Sequence, residues 1–206
     1  MTRKFGINMT QVGIFFGLFA ISSVVGSMIG GALTDRFGRK GMLLFGLTMS
    51  ALSAVLMGIT NQLEIFLVVV IVVGMLADAG GPAQQALVAD LLPEEKRAEG
   101  FGILRVIFNL AVVIGPLIGG LLATRSYLML FIADAITSSI TAAVVFVALK
   151  ETRPTKKEEG EPQESILQTF AGYGVALRDK AFVWFLGASA LMVLVYIQMN
   201  TTLAVF

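Results

Sequence analysis

Ionisable side chains are scarce in this sequence, and their placement says most about its chemistry. Asp78, Arg105 and Asp134 lie inside long apolar stretches, Asn109 follows Arg105 by four residues, and Gln84 and Gln85 follow a Gly80-Gly81-Pro82 step. A charge at a bilayer centre costs about 3 kcal/mol or more, so such groups are expected to face a bundle interior or one another. The four-residue spacing puts Arg105 and Asn109 on one helix face. Desolvation favours the neutral form of a carboxyl, which makes Asp78 the first proton-site candidate; a structural pair with Arg105 is the alternative. Asp134 ranks below it, being close enough to the end of its stretch to reach outward. The Gly-Gly-Pro step is expected to interrupt its helix and free carbonyls near Gln84 and Gln85, as at cavity-lining breaks. Tyr196, Gln198, Asn200 and Thr201 make a polar end to the last stretch. For both groups plain interhelical hydrogen bonding is the alternative to substrate contact.

There is no His and no Cys. An imidazole base, thiol chemistry, disulfides and Cys/His metal centres are therefore excluded for this sequence. With no nucleophile–base pair, no metal-ligand cluster and no nucleotide-binding loop in the pattern, neither an enzyme nor a metal, cofactor or nucleic-acid partner is expected.

The elements that carry these residues are set by composition. Apolar residues make up 56% of the 206, charged residues 14%, and the mean hydropathy is +0.85. Soluble domains have about 25% charged residues. Six stretches are long enough to cross about 30 Å of hydrocarbon: Val12–Leu33, Gly41–Ile59, Ile65–Val88, Phe101–Ala123, Tyr127–Leu149 and Phe182–Phe206. Backbone polar groups in lipid are satisfied within a helix, so an all-α polytopic membrane bundle follows. The basic start MTRK resembles a signal-peptide n-region, but no small-residue cleavage site follows the first stretch, which reads as a span.

The connections alternate in charge. Asp35–Lys40, Asp90–Gly100 and Lys150–Lys180 hold 11 of the 15 Lys and Arg residues. The positive-inside rule puts them in the cytoplasm, and the N-terminus with the turns Thr60–Glu64 and Thr124–Ser126 outside. ETRPTKKEEGEPQES reads as a solvated linker, and Ser165–Lys180 as a short surface helix. Three regions result: five helices over 1–150, a cytoplasmic linker over 151–180 and one helix over 181–206. Gly26–Leu33 (GSMIGGAL) and Gly115–Leu122 (GPLIGGLL) share G-x-x-I-G-G-x-L, 89 residues apart. They run in opposite directions through the membrane, as an inverted repeat requires, although packing demand alone could converge on the same pattern.

Between the first two stretches stands GALTDRFGRKGMLL: Gly31, Leu33, Asp35, Arg36, Gly38, Arg39, Lys40 and Leu44. Gly31 is expected to permit close helix approach, Gly38 a positive-φ turn, and Asp35 and Arg39 to lie within reach of each other. The segment resembles the signature loop of the major facilitator superfamily, G-x-L-x-D-R-x-G-R-K-x-x-x-L, without departure. The resemblance covers the whole chain and implies helices two to seven of a twelve-helix bundle, without the first helix and helices eight to twelve that a complete cavity needs. It further implies that Arg39 pairs with Asp90 of VADLLPEEKR, in a charge cluster Asp35–Arg39–Asp90 that acts as a gate latch; static anchoring of the loop is the plainer reading.

Gly102, Ala111, Gly115, Pro116, Gly119 and Gly120 resemble the family's antiporter motif, with Ala111 where Gly is usual. The Arg common in the middle of the fourth helix of drug-antiporter relatives has no counterpart here. The resemblance implies a secondary active transporter in a plasma (inner) membrane, working on small molecules by alternating access, with proton-coupled efflux as the leading reading. Its expected partners are the lipid bilayer, a small-molecule substrate and protons. A facilitator or symporter of sugars or organic acids and a truncated, non-transporting membrane fragment are the alternatives.

Overall fold

The computed structural model describes residues 6, 8–152, 172, 174 and 177–203. Helices α1 (Met9–Phe37), α2 (Arg39–Ile59), α3 (Leu63–Asp78), α4 (Gly81–Leu91), α5 (Glu94–Arg125) and α6 (Tyr127–Ala148) belong to one compact unit, and α7 (Lys180–Leu203) to a second. Five spans are long and apolar enough to cross a membrane: Gly13–Phe37, Arg39–Ile59, Leu63–Leu91, Glu94–Arg125 and Tyr127–Ala148. They coincide with the first five expected stretches. The sixth falls on α7, whose described apolar part is Lys180–Val193. Most of the expected surface helix at Ser165–Lys180 and most of the linker lie outside the described residues.

Local sequence sets the ends of these helices. Asn8 caps α1: its Oδ1 accepts from Gln11 N–H at 2.8 Å, and its own N–H donates to Gln11 Oε1 at 2.9 Å. This reciprocal pair satisfies two of the orphan donors of the first turn. The α1–α2 corner turns at Gly38, with φ +94° and ψ 155°, a backbone region essentially confined to Gly. Glu94 and Glu95 occupy the first turn of α5, where a helix favours negative charge. In α7, Asp179 Oδ1 accepts from Ala181 N–H at 2.9 Å and Phe182 N–H at 3.2 Å, a side-chain cap.

Helix α2 is the hub of the first unit, packed on α6, α3, α4 and α1, while α1 lies against α3 and α4. One apolar cluster joins Phe15 of α1 to Phe66 and Val70 of α3, and Phe131 of α6 meets Phe66 edge-on with centroids 6.5 Å apart. A second, nearer the Gly38 corner, joins Met42 of α2 to Ala79 and Ala83. Between them the helices come closest where side chains vanish. A Cβ on Gly26 would lie 2.0 Å from the Met75 carbonyl oxygen, one on Gly30 2.2 Å from that of Ala79, and one on Gly46 2.8 Å from Gly80 Cα. Small residues permit such backbone contact where lipid supplies no hydrophobic drive between helices.

Helix α5 differs. It packs on α6 and α4, and none of its residues is buried. The two copies of G-x-x-I-G-G-x-L thus have unlike surroundings. Gly26 and Gly30 grip α3, whereas a Cβ on Gly115 or Gly120 would meet nothing within 4 Å among the described residues.

Candidate functional site

The signature segment forms the α1–α2 corner and gathers four elements. Arg39, the first residue of α2, places its Nε 2.5 Å from Asp90 Oδ2 near the end of α4, with side chains 12% and 30% exposed. It is a close ion pair whose N–H is not directed for a hydrogen bond. Arg39 Nη1 donates to the Thr152 carbonyl at 3.2 Å. Lys40 Nζ donates to the Phe146 carbonyl at 2.7 Å and lies 5.2 Å from the centroid of the Phe146 ring. Cations placed here neutralise carbonyls that the end of α6 leaves without helical partners.

The charge cluster is narrower than expected. Asp35 and Arg36 sit in the last turn of α1, both exposed, and neither forms an ion pair among the described residues. The expected Asp35–Arg39 contact is therefore not made, and the pair is Arg39–Asp90 alone. A second correction concerns Gly31. A Cβ there would meet nothing within 4 Å, and the close approach belongs to Gly30. Successive residues of a helix point about 100° apart, so only one of two adjacent glycines can face α3.

The helix interruption lies where Gly80-Gly81-Pro82 placed it, but it is slight. Ala79 (φ −60°, ψ −19°) and Gly80 (φ −78°, ψ −17°) stay in the right-handed region. Gly80 N–H donates to Ala77 O at 3.2 Å, one residue short of helical register. Pro82 has no N–H, so the Asp78 carbonyl loses its helical donor. The Gly80 carbonyl, by contrast, accepts from Gln84 N–H at 3.2 Å. Asp78 is thus the last residue of α3, half-buried at the break and midway along the Leu63–Leu91 span.

The remaining polar candidates are not brought together. Arg105, Asn109 and Asp134 are exposed, Gln84 is half-buried, and Asp78 and Arg105 form no pair. Helix α5 meets α4 around Gly100, which lies against Leu92 and Val88, and Arg105, further along α5, stays exposed. Gly102, Gly115 and Gly120 have open space where a Cβ would stand, and Gly119 meets Leu130 at 3.6 Å. The side chains of Tyr196, Gln198, Asn200 and Thr201 lie outside the described residues. An apolar hollow of about 180 Å³ is lined by Gln11, Ile14, Phe15, Leu18, Leu63 and Leu67. It sits at the far end of α1 from the signature corner and contains none of the expected site residues. No cluster of His, Cys, Asp and Glu fit for a metal occurs among the described residues.

Sequence reasoning missed one residue. Glu151, just beyond α6, accepts from Lys40 N–H through Oε1 and from Gly41 N–H through Oε2, each at 3.2 Å. Helix α2 begins after Gly38, which has no side chain to cap it. That want of a local cap was the available signal.

Five apolar spans around an Arg–Asp pair at a basic corner define a multi-pass helical membrane protein. The chain belongs to the Major Facilitator Superfamily, whose family model matches residues 1–206. It is similar to the Na(+), Li(+), K(+)/H(+) antiporter of Planococcus maritimus, at 29% identity over 94% of this chain and 49% of that protein. It is also similar to the class H tetracycline resistance protein of Pasteurella multocida (34%, over 70% of this chain and 36% of that one). A third relative is the quinolone resistance protein NorA of Staphylococcus aureus (27%, over 78% and 42%). The chain spans about half the length, or less, of these relatives.

Proposed function

We propose that this chain supplies one half of a secondary active transporter that moves small molecules by alternating access, with proton-coupled efflux as its working mode. The observation that carries this reading is the Arg39–Asp90 pair across the signature corner of a major facilitator chain. Residues 1–150 form the half-bundle, 151–180 the linker and 181–206 the first helix of the other half. The corner and the linker face the cytoplasm of a plasma membrane, in keeping with their Lys and Arg content.

In this reading the Arg39–Asp90 pair holds α4 against α2 and breaks when the cytoplasmic side opens. Asp78, at the α3–α4 break, exchanges the proton. Gln84 lies nearby, on the first turns of α4, and is offered to substrate. Arg105, Asn109, Asp134 and Gln198 are secondary substrate candidates, and the Gly face of α5 around Pro116 is a packing surface in the antiporter-like motif. The energy source is an ion gradient, and no chemical step on the substrate is involved.

A second substrate class has a specific observation in its favour: a relative aligned over 94% of this chain is named for Na(+), Li(+) and K(+) exchange against H(+). One experiment serves both. Inside-out vesicles bearing the protein are acidified and a pH-sensitive dye follows the gradient while tetracycline, a quinolone, or sodium or potassium chloride is added. Alkalinisation on addition of either organic probe supports drug/proton exchange, and on addition of either salt, cation exchange. Vesicles that respond to none of them, or respond unchanged with Asp78→Asn, overturn the transport reading or the role of Asp78 respectively.

A further inference from the structure

The signature corner contains a second carboxylate contact that the family pattern between α1 and α2 does not contain. Glu151 comes from the segment after α6, 111 residues from Lys40, and its two oxygens take the N–H groups of Lys40 and Gly41. These are among the first-turn donors of α2 that lack intrahelical partners, and the preceding Gly38 has no side chain to offer. The carboxylate also rests against Gly38 itself. A Cβ there would lie 2.7 Å from Glu151 Cδ and Oε1. Gly38 therefore serves two ends, a backbone turn closed to other residues and a floor on which a remote carboxylate can seat.

The neighbouring contacts run through the same residues. The Thr152 carbonyl, one residue on, receives Arg39 Nη1, and the Phe146 carbonyl, five residues back, receives Lys40 Nζ. Arg39 thus stands between Asp90 on one side and the Glu151–Thr152 segment on the other. A negative group at a helix N-terminus is favoured by both the free N–H groups and the helix dipole.

We infer that Glu151 is a positioning residue of the latch, a cap supplied from a distant part of the chain that fixes the first turn of α2 so that Arg39 meets Asp90. It also ties Glu151 and Thr152, just after α6, to the corner, so that opening the corner breaks their contacts with Arg39, Lys40 and Gly41. This inference rests on the latch reading of Arg39–Asp90 given above.

The sequence has no Cys, so a single cysteine reports without background. Met42, 5% exposed between α2 and α4, is the reporter of corner opening, and Phe15, 6% exposed at the far end of α1, is the control. In inside-out vesicles bearing the full-length protein, the maleimide labelling rate of Met42→Cys is measured alone and with Glu151→Ala, Glu151→Gln, Asp90→Ala, and Glu151→Ala with Asp90→Ala. Loss of a side-chain cap corresponds to about a fivefold shift in an equilibrium, so Glu151→Ala raises the rate about fivefold. Glu151→Gln, which keeps one acceptor oxygen, raises it less. Glu151→Ala adds little to Asp90→Ala, because both release one latch, and Phe15→Cys labelling does not change with any of them. Should Glu151→Ala fail to accumulate, Glu151→Gln decides. Labelling unchanged by the Glu151 substitutions while Asp90→Ala raises it overturns the inference and leaves the latch standing. An equal rise at Phe15→Cys, or full additivity, overturns it as well. No change with Asp90→Ala removes the latch reading itself.

Discussion

Gly30 and Gly31 are adjacent and chemically identical, yet a methyl group added to each should have opposite consequences. At Gly30 the new carbon would stand 2.2 Å from the Ala79 carbonyl oxygen, 2.6 Å from its Cα and 2.7 Å from its carbonyl carbon. All three are backbone atoms at the α3–α4 junction, so no side-chain rotation relieves the contact. Restoring an ordinary separation of about 3.4 Å moves α1 from α3 by about 1 Å. A gap of that size forfeits up to about half of the dispersion energy of the atoms it separates. Overpacking of this kind costs about 1–3 kcal/mol. At Gly31 a methyl group meets nothing within 4 Å, and Ala is the better helix former by about 1 kcal/mol. Unfolding each variant in mixed detergent–dodecyl sulfate micelles, followed by far-ultraviolet circular dichroism, should show Gly30→Ala shifted to lower denaturing fraction. Gly31→Ala should equal or exceed the parent. If the two variants unfold together, the backbone contact between α1 and α3 is not as described.

Other substitutions test the corner and the caps. Gly38→Ala meets both a φ of +94° and the Glu151 carboxylate; it should destabilise by about 1–3 kcal/mol in the same micelle titration. Asn8→Ala removes an exposed reciprocal cap at the start of α1, and should cost about 1 kcal/mol by that assay while leaving vesicle transport intact. Asp90→Asn should move the unfolding midpoint by no more than about 1 kcal/mol, as a partly exposed pair would, yet change the transport rate severalfold. A loss of stability that matched the loss of transport would assign Asp90 to folding alone.

Much of this was legible in the sequence, for definite physical reasons. Lipid admits few backbone solutions, so apolar length alone set the five spans. Gly38 was readable as a positive-φ turn because it stands in the short connection between two spans and glycine alone takes that backbone freely, and Pro82 marked the break because it has no N–H to donate. The Arg39–Asp90 pair followed from the family pattern. What stayed hidden depends on rotation and on distant contacts. A helix rich in Gly and apolar residues on every side does not show which face it buries, so Gly31 was read for Gly30. Glu151 sits at the head of a polar segment that composition assigns to solvent, and only the uncapped start of α2 pointed to a partner. The cost of burying charge left Asp78 open to two readings, a proton site or a partner of Arg105, and spacing along the chain could not show that Arg105 stays exposed and unpaired with Asp78 among the described residues.

The proposed transport cycle requires Arg39 and Asp90 to act as one latch. The direct test is a double-mutant cycle on substrate-driven proton release in inside-out vesicles, with Arg39→Ala, Asp90→Ala and the pair. If the two residues act together, the double variant is no worse than the more damaged single one. If the losses multiply as those of independent sites do, the latch is contradicted.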